Sequence, residues 1–160
     1  MNATPENDHL QQAEFYNSLI NSLPDAVVVV DPMFRIHYCN EAFLRLFDLK
    51  IEDTIGKIYG NAIRCKASTT SNTSCLTEGL CSNCRIRNAM FSAFRMKETQ
   101  PQASILFESG KKETDTLKII AFQSSFFRLD NLNFVVTVLN DMTRLGSETL
   151  RYINNLPDVT

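Results

Sequence analysis

The 160-residue sequence has no tryptophan, five glycines, five prolines and only two histidines. No phosphate-cradling glycine loop, Ser/His/Asp grouping or pair of catalytic carboxylates is apparent, so the chain reads as a module that is not an enzyme. His9 lies in a polar N-terminal stretch and His37 on the polar face of a strand, places that suit solvated side chains rather than catalytic or haem-ligating ones. Long hydrophobic runs are also missing. The longest purely apolar stretch is the five residues Ala26 to Val30, far too short to span a bilayer, and the start from Met1 to Leu10 is polar and acidic, unlike a signal peptide. These absences predict a cytoplasmic protein with no membrane partner, in a compartment where thiols stay reduced. The five cysteines are an odd number, which argues against a fully paired disulfide framework. The sequons at Asn2 and Asn72 then carry no meaning.

What is present is ordinary for a globular chain: 44% hydrophobic and 21% charged residues, which excludes a disordered or fibrous protein. A chain of this size suits one domain and buries roughly 70% of its unfolded surface, so it folds without staples. Eleven phenylalanines predict a Phe-rich core. The net charge of −2 is unevenly placed. From Thr54 to Lys97 there are seven positive residues and one negative, Glu78, a net +6 that leaves −8 for the remainder.

The spacing of Phe15, Leu19 and Leu23, with Leu10 and Ile20 near the same stripe, predicts a helix from about Asp8 to Asn21, ended by Pro24-Asp25. Its apolar face needs a cover, either the domain or a second copy of the chain. Ala26 to Asp31 is Val-rich and reads as a buried strand; Asp31-Pro32 marks a turn, and Phe34 to Cys39 alternates as the second strand of a hairpin. Asn40 is placed to cap a helix carrying Ala42, Phe43, Leu46 and Phe47. Ile51 to Lys57 reads as a short turn of helix ending at Gly56, and Tyr59 to Leu80 as irregular, with a Ser/Thr/Asn loop from Ala67 to Ser74. Ile86, Ala89, Met90, Ala93 and Phe94 form one clean helical stripe, read as core packing. Three strands follow, at about Ala103–Glu108, Leu117–Phe127 and Phe134–Asn140, turned by Gly110-Lys111 and Asp130-Asn131. Met142 to Leu150 reads as a short helix, with Pro157 ending regular structure. The fold class is α+β.

Four segments in order resemble the PAS domain family. They are Leu23-Pro24-Asp25-Ala26 leading into the Val-rich strand, the run Arg35-Ile36-His37-Tyr38-Cys39-Asn40-Glu41-Ala42-Phe43, the turn Ile55-Gly56-Lys57, and Leu139-Asn140-Asp141-Met142-Thr143 as the closing Asp-Ile-Thr motif. The resemblance covers about Ser22 to Arg144. It implies a five-stranded antiparallel sheet with helices on one face and an N-terminal helix, a role in sensing or signalling, a homodimer, and a partner such as a histidine kinase or other output protein. Asp141 and Thr143 are then placed at the signal output. The implied organisation is an N-terminal helical extension at 1–21, a sensor domain at 22–145 with a Cys-rich insert at 60–84, and a tail at 146–160. Asp48 stands where the family usually has Gly, and the insert is a further departure. Some bacterial PAS domains carry a similar multi-Cys insert.

The insert holds Cys65-x9-Cys75-x5-Cys81-x2-Cys84. A Cys-x2-Cys pair places two sulfurs where both can grip one ion or cluster, and two further thiolates complete a four-sulfur site. Four thiolates bring −4, and a zinc ion or a +2 cluster leaves −2, which Arg64, Lys66, Arg85 and Arg87 beside the cysteines would offset. Three readings stand: a metal or iron–sulfur site at Cys65, Cys75, Cys81 and Cys84; a metal-free thiol–disulfide switch; and inert buried cysteines. Structural zinc sites usually show two short Cys pairs. The single pair and irregular spacing suit an iron–sulfur cluster better, with zinc as the alternative. Cys39, at a strand end, reads as a packing residue. Asn83-Cys84-Arg85-Ile86 resembles the Asn-Cys-Arg-Phe motif of flavin-binding LOV domains, but Arg87-Asn88 replaces its Leu-Gln, which favours the ligand role. The +6 segment permits a nucleic-acid-binding module, yet only Tyr59, Phe91 and Phe94 interleave its positives and the overall charge is acidic, both of which weigh against it.

Overall fold

The computed structural model describes residues 5–66, 75, 84–109 and 117–154, with side chains described between residues 9 and 148. The loop from Ala67 to Ser74, Cys81, the Gly110-Lys111 turn and Pro157 lie outside the described residues. Helix α1 spans Pro5–Asn21. It starts earlier than Asp8 because a proline at the first helical position has its φ preset and gives up an amide that would have no partner there.

Strands β1 (Ala26–Val30), β2 (Ile36–Cys39), β3 (Ala103–Glu108), β4 (Leu117–Leu129) and β5 (Leu132–Asp141) form one five-stranded antiparallel sheet in the order β2-β1-β5-β4-β3. The β4–β5 hairpin turns on Asp130 and Asn131, both left-handed with φ of 48° and 65°, as a two-residue type I′ connection requires. Phe34 is buried and also left-handed, with φ 58°. Its amide donates to the Asp31 carbonyl at 2.8 Å, and Asp31 Oδ1 accepts from the amides of Met33 and Arg35, so β2 begins only at Ile36.

Helix α2 spans Glu41–Phe47 and is capped by Asn40. A 3-10 turn at Ile51–Asp53 and the four-residue helix α3 at Tyr59–Ala62 follow, so the segment expected to be irregular opens with a turn of helix. Helices α4 (Arg85–Met96) and α5 (Thr143–Asn154) complete the chain. Ala26, Val28 and Val30 of β1, Val135 and Leu139 of β5, and Ile120 and Phe122 of β4 form one core with Phe43 and Phe47 of α2, Tyr59 and Ala62 of α3, and Ile86, Met90 and Ala93 of α4. The α4 stripe faces the sheet as its spacing predicts. Alternation along β4 and β5 also brings Ser124 and Thr137 opposite one another, where their hydroxyls bond at 2.8 Å, fully buried.

Candidate functional site

The cysteine group is organised around α3. The segment entering α3 is pinned to the outer edge of β2: the Gly56 amide donates to the Ile36 carbonyl, the Ile36 amide to Lys57, and the Tyr59 amide to Phe34, at 2.8–2.9 Å. This register drives the Tyr59 ring into the core, where it is 3% exposed and lies against Phe43 with ring centroids 6.3 Å apart. The next residue is a buried glycine. A Cβ on Gly60 would stand 2.5 Å from Cys75 Sγ and 2.8 Å from Cys75 Cβ, so the glycine makes room for that thiol.

Three of the four predicted ligands are described, and two of them, Cys65 and Cys75, meet at Gly60. Cys75 is buried, and its amide donates to Asn61 Oδ1 at 3.1 Å. The Cys65 amide donates to the Gly60 carbonyl at 3.1 Å, and Cys65 forms a bridge with Ser109 just past β3. Cys84 is the N-cap residue of α4, its carbonyl accepting from the Asn88 amide at 2.9 Å. Cys65 and Cys84 both pack against the core. Burial holds the Tyr59 phenol well above its ordinary value, and the charges of Cys84, Cys75 and Cys65 push it the same way. Tyr59 therefore keeps its proton and is a hydrogen-bond donor. Yet its hydroxyl is buried with no hydrogen-bond partner among the described residues, an arrangement that costs about 1–3 kcal/mol. No group of three or more His, Cys, Asp or Glu among the described residues is close enough to hold a metal ion.

The flanking positive residues divide. Lys66 pairs with Glu108 of β3, and Arg85 donates to the Ser104 carbonyl of β3 at 3.0 Å. Arg64 is exposed and left-handed, with φ 52°, and Arg87 is half-buried. Cys39 stands apart at the end of β2, buried, its thiol pushed up to about 11 by desolvation. His37 Nε2 lies 2.9 Å from Asp31 Oδ2; the histidine is exposed but has a partner. At the far edge, Thr143 donates to Asp141 Oδ1 from its amide at 3.0 Å and from its hydroxyl, and the hydroxyl accepts from the Ile119 amide at 3.0 Å. Asp141 and Thr143 thus tie the start of α5 to β4.

Tyr59, Gly60 and Asn61 were not recognisable as site residues from sequence. The available signal is their position, directly after the Ile55-Gly56-Lys57 turn and before the first cysteine.

Residues 14–77 match the family model described as "PAS domain". The chain has a PAS-like fold. Solved PAS domains superpose on it over most of its length. One from a two-component sensor histidine kinase is 12% identical, with TM-score 0.57, covering 83% of this chain and 98% of that one. The PAS domain of BvgS from Bordetella pertussis is 16% identical, with TM-score 0.58, covering 91% and 99%. An RNA-binding Light-Oxygen-Voltage receptor is 15% identical, with TM-score 0.61, covering 96% of this chain and 41% of that one. At these identities the likeness is one of fold. No curated protein matches the sequence. In this fold Cys65 follows α3 and bridges to Ser109 just past β3, and Cys84 opens α4. No helix among the described residues is long and apolar enough to cross a membrane.

Proposed function

We propose that this PAS domain is a sensory or signalling module, not an enzyme, whose Cys65, Cys75, Cys81 and Cys84 hold an iron–sulfur cluster, with zinc as the alternative occupant. The observation that carries this reading is the buried Tyr59 hydroxyl, without a hydrogen-bond partner among the described residues, beside the Gly60 that receives Cys65 and Cys75. Inert core cysteines would not need a polar atom among them, and a buried hydroxyl is ordinarily satisfied. Gly60 adds a second support, since a side chain there would take the space of Cys75. Four cysteines satisfy the donor count of a cluster or a structural zinc site, and Cys81 is needed to complete that count.

A metal-free thiol–disulfide switch is the second reading, favoured by the lack of a metal-holding group among the described residues. A protein-interaction role or nucleic-acid binding is a weaker alternative. The module is further proposed to be cytoplasmic and to act as a homodimer on a partner such as a histidine kinase or another output protein. The homodimer is supported by α1, which leaves Leu10, Phe15, Tyr16 and Leu19 exposed.

Anaerobic purification with metal and sulfide analysis and a visible spectrum tests the proposal. Iron with inorganic sulfide and broad visible absorption is the expected result. Zinc alone selects the structural site, and a reversible disulfide without metal sinks both. Cys81→Ser or Cys84→Ser should release the metal, whereas Cys39→Ser should retain it. Sedimentation of the native chain and of Phe15→Glu tests the homodimer; a native monomer removes that part.

A further inference from the structure

A cavity of about 300 Å³ opens between α2 and the strands β1, β5 and β4, with no cysteine in its lining. Its apolar side is made by the buried residues Ala26 of β1, Ala42 of α2 and Leu139 of β5; its charged side by Arg45 of α2, Lys118 of β4 and Asp141 of β5. Two cations thus face one carboxylate. The Lys118 side chain is 25% exposed, donates to the Leu46 carbonyl at 2.6 Å, and lies 3.8 Å from Asp141 Oδ2. That spacing is the outer limit of an ion pair, and the other Asp141 oxygen already accepts from the Thr143 amide and hydroxyl. Arg45 is paired with Glu41, one helical turn back, at 3.4 Å, but both side chains are about two-thirds exposed, where such a pair is worth little. A largely buried ammonium is stabilised by a closely held counter-charge, and a guanidinium takes a carboxylate in two parallel hydrogen bonds.

We infer that this cavity binds a small organic carboxylate with a short apolar chain. The carboxylate meets Arg45 and Lys118, and the chain lies on Ala26, Ala42 and Leu139. The two alanines leave the width for it, and the volume is at the small end of ligand sites. A bare inorganic anion would use the cations but leave the apolar side in contact with water, so the shape and the charge together select a carboxylate with a tail. The site is independent of the four-cysteine reading. It touches Asp141, which ties the start of α5 to β4 through Thr143, and a bound carboxylate gives Lys118 a closer counter-ion than Asp141 does.

The experiment titrates the native full chain, Arg45→Gln and Lys118→Met with butyrate and, separately, with inorganic phosphate, at constant ionic strength in chloride. Binding is followed by amide NMR and by melting. Butyrate should bind the native chain saturably in the millimolar range, shift the amides of Leu46, Asp141 and Thr143, and raise the melting temperature. Each variant should bind about tenfold more weakly, the loss expected for a charge-assisted hydrogen bond, and phosphate should bind the native chain more weakly than butyrate. Lys118→Met also loses the bond to Leu46; if it fails to fold, Arg45→Gln decides, since the Arg45 side chain lies outside the core. No saturable butyrate binding, shifts confined to other amides, or equal affinity in Arg45→Gln overturns the inference. Phosphate binding as tight as butyrate overturns it too, because the apolar side then contributes nothing.

Discussion

Asn40 offers a stringent test of how the PAS fold holds its N-terminal helix. The side chain is fully buried and makes four hydrogen bonds. Oδ1 accepts from the Val27 amide in β1 and the Phe43 amide in α2, both at 2.9 Å; Nδ2 donates to the Ile20 carbonyl in α1 at 3.1 Å and to Asp25 at 2.9 Å. Asn40→Ala removes the cap of α2, worth about 1 kcal/mol, and leaves the buried Val27 amide without this acceptor, at about 1–3 kcal/mol. Two carbonyls lose a donor but keep a second lone pair, for roughly 0.5 kcal/mol each at the low end of a hydrogen bond's net worth. The expected loss is therefore about 3–5 kcal/mol in urea denaturation, or about 10 °C in melting temperature at this chain length. Asn40→Asp separates the contributions. It keeps both acceptor bonds and places its charge at the α2 N-terminus, but it faces two carbonyls with no donor, so it should cost about half as much. Relative to the native chain at the same pH, Asn40→Asp should also be milder at pH 4 than at pH 7, because a protonated carboxyl regains a donor. An Asn40→Ala loss under about 1 kcal/mol, or equal losses for Ala and Asp, would refute the reasoning.

Gly60→Ala should displace Cys75, whose Sγ and Cβ would lie 2.5 and 2.8 Å from the new methyl; metal analysis should find the site depleted with the far-UV spectrum unchanged, and full loading would contradict the close packing. Overpacking of about 1–3 kcal/mol is partly offset by about 1 kcal/mol of helix propensity, so the melting temperature should fall only modestly. Ser124→Ala and Thr137→Val each leave one buried hydroxyl unpaired and should cost about 1–3 kcal/mol, whereas the double variant should cost less than their sum; additivity in urea melts would dismiss the pair. The Cys39 thiol, raised by burial from 9.0 to about 11, holds its proton in the folded chain after the unfolded chain has lost it. Its contribution is complete below pH 9.0 and is lost as pH rises to about 11, at up to about 1.4 kcal/mol per pH unit; denaturation of the native chain and Cys39→Ala across that window should show the slope only in the former.

Much of this architecture is written in periodicity. The Val run of β1, the stripe Ile86-Met90-Ala93 and the Asp130-Asn131 turn each repeat a pattern with one structural solution. Asn40 is legible too, because a cap is a local device. Outside the Asp130-Asn131 turn, non-glycine residues in left-handed backbone are mostly not. Phe34, Arg64 and Lys97 have φ of 52–58°, and nothing in their side chains announces it. Phe34 is held there by burial and by an edge contact with Phe94, ring centroids 6.3 Å apart. Asp48 and Lys97 occupy the position after a helix where glycine is usual. The site divides the same way. Cysteine spacing marks the ligands, but α3 has only four residues, too short for any periodic signal. That Tyr59 is buried, and that Cys75 lies against Gly60, follows from the pairing of residues 56–59 with β2 and from the packing of distant segments, both products of tertiary structure.

On the proposed reading, a change at the cysteines enters the sheet by way of β3. Cys65 bridges to Ser109, Lys66 pairs with Glu108, and Arg85, beside Cys84, holds the Ser104 carbonyl. Both ends of the insert are thus fastened to one strand. β3 is an edge strand whose sheet partner is β4, so a shift in β3 reaches the rest of the sheet through β4. Beside Ile120 in β4 lie Ile119, whose amide holds the Thr143 hydroxyl, and Lys118, which donates to the Leu46 carbonyl at 2.6 Å and lies 3.8 Å from Asp141. α5 is close to β4 there, since a Cβ on Gly146 would stand 2.6 Å from Ile119 Cδ1. By contrast α1 is tied to β2 and α2, through Tyr38, Asn40 and Asn21, on the opposite side of the sheet. Local rearrangement among the cysteines therefore has one mechanical route to α5, through β3 and β4, and another to α1, through α3 and the β2 edge to which it is pinned. On the proposed reading both terminal helices are placed to feel a switching event in this domain.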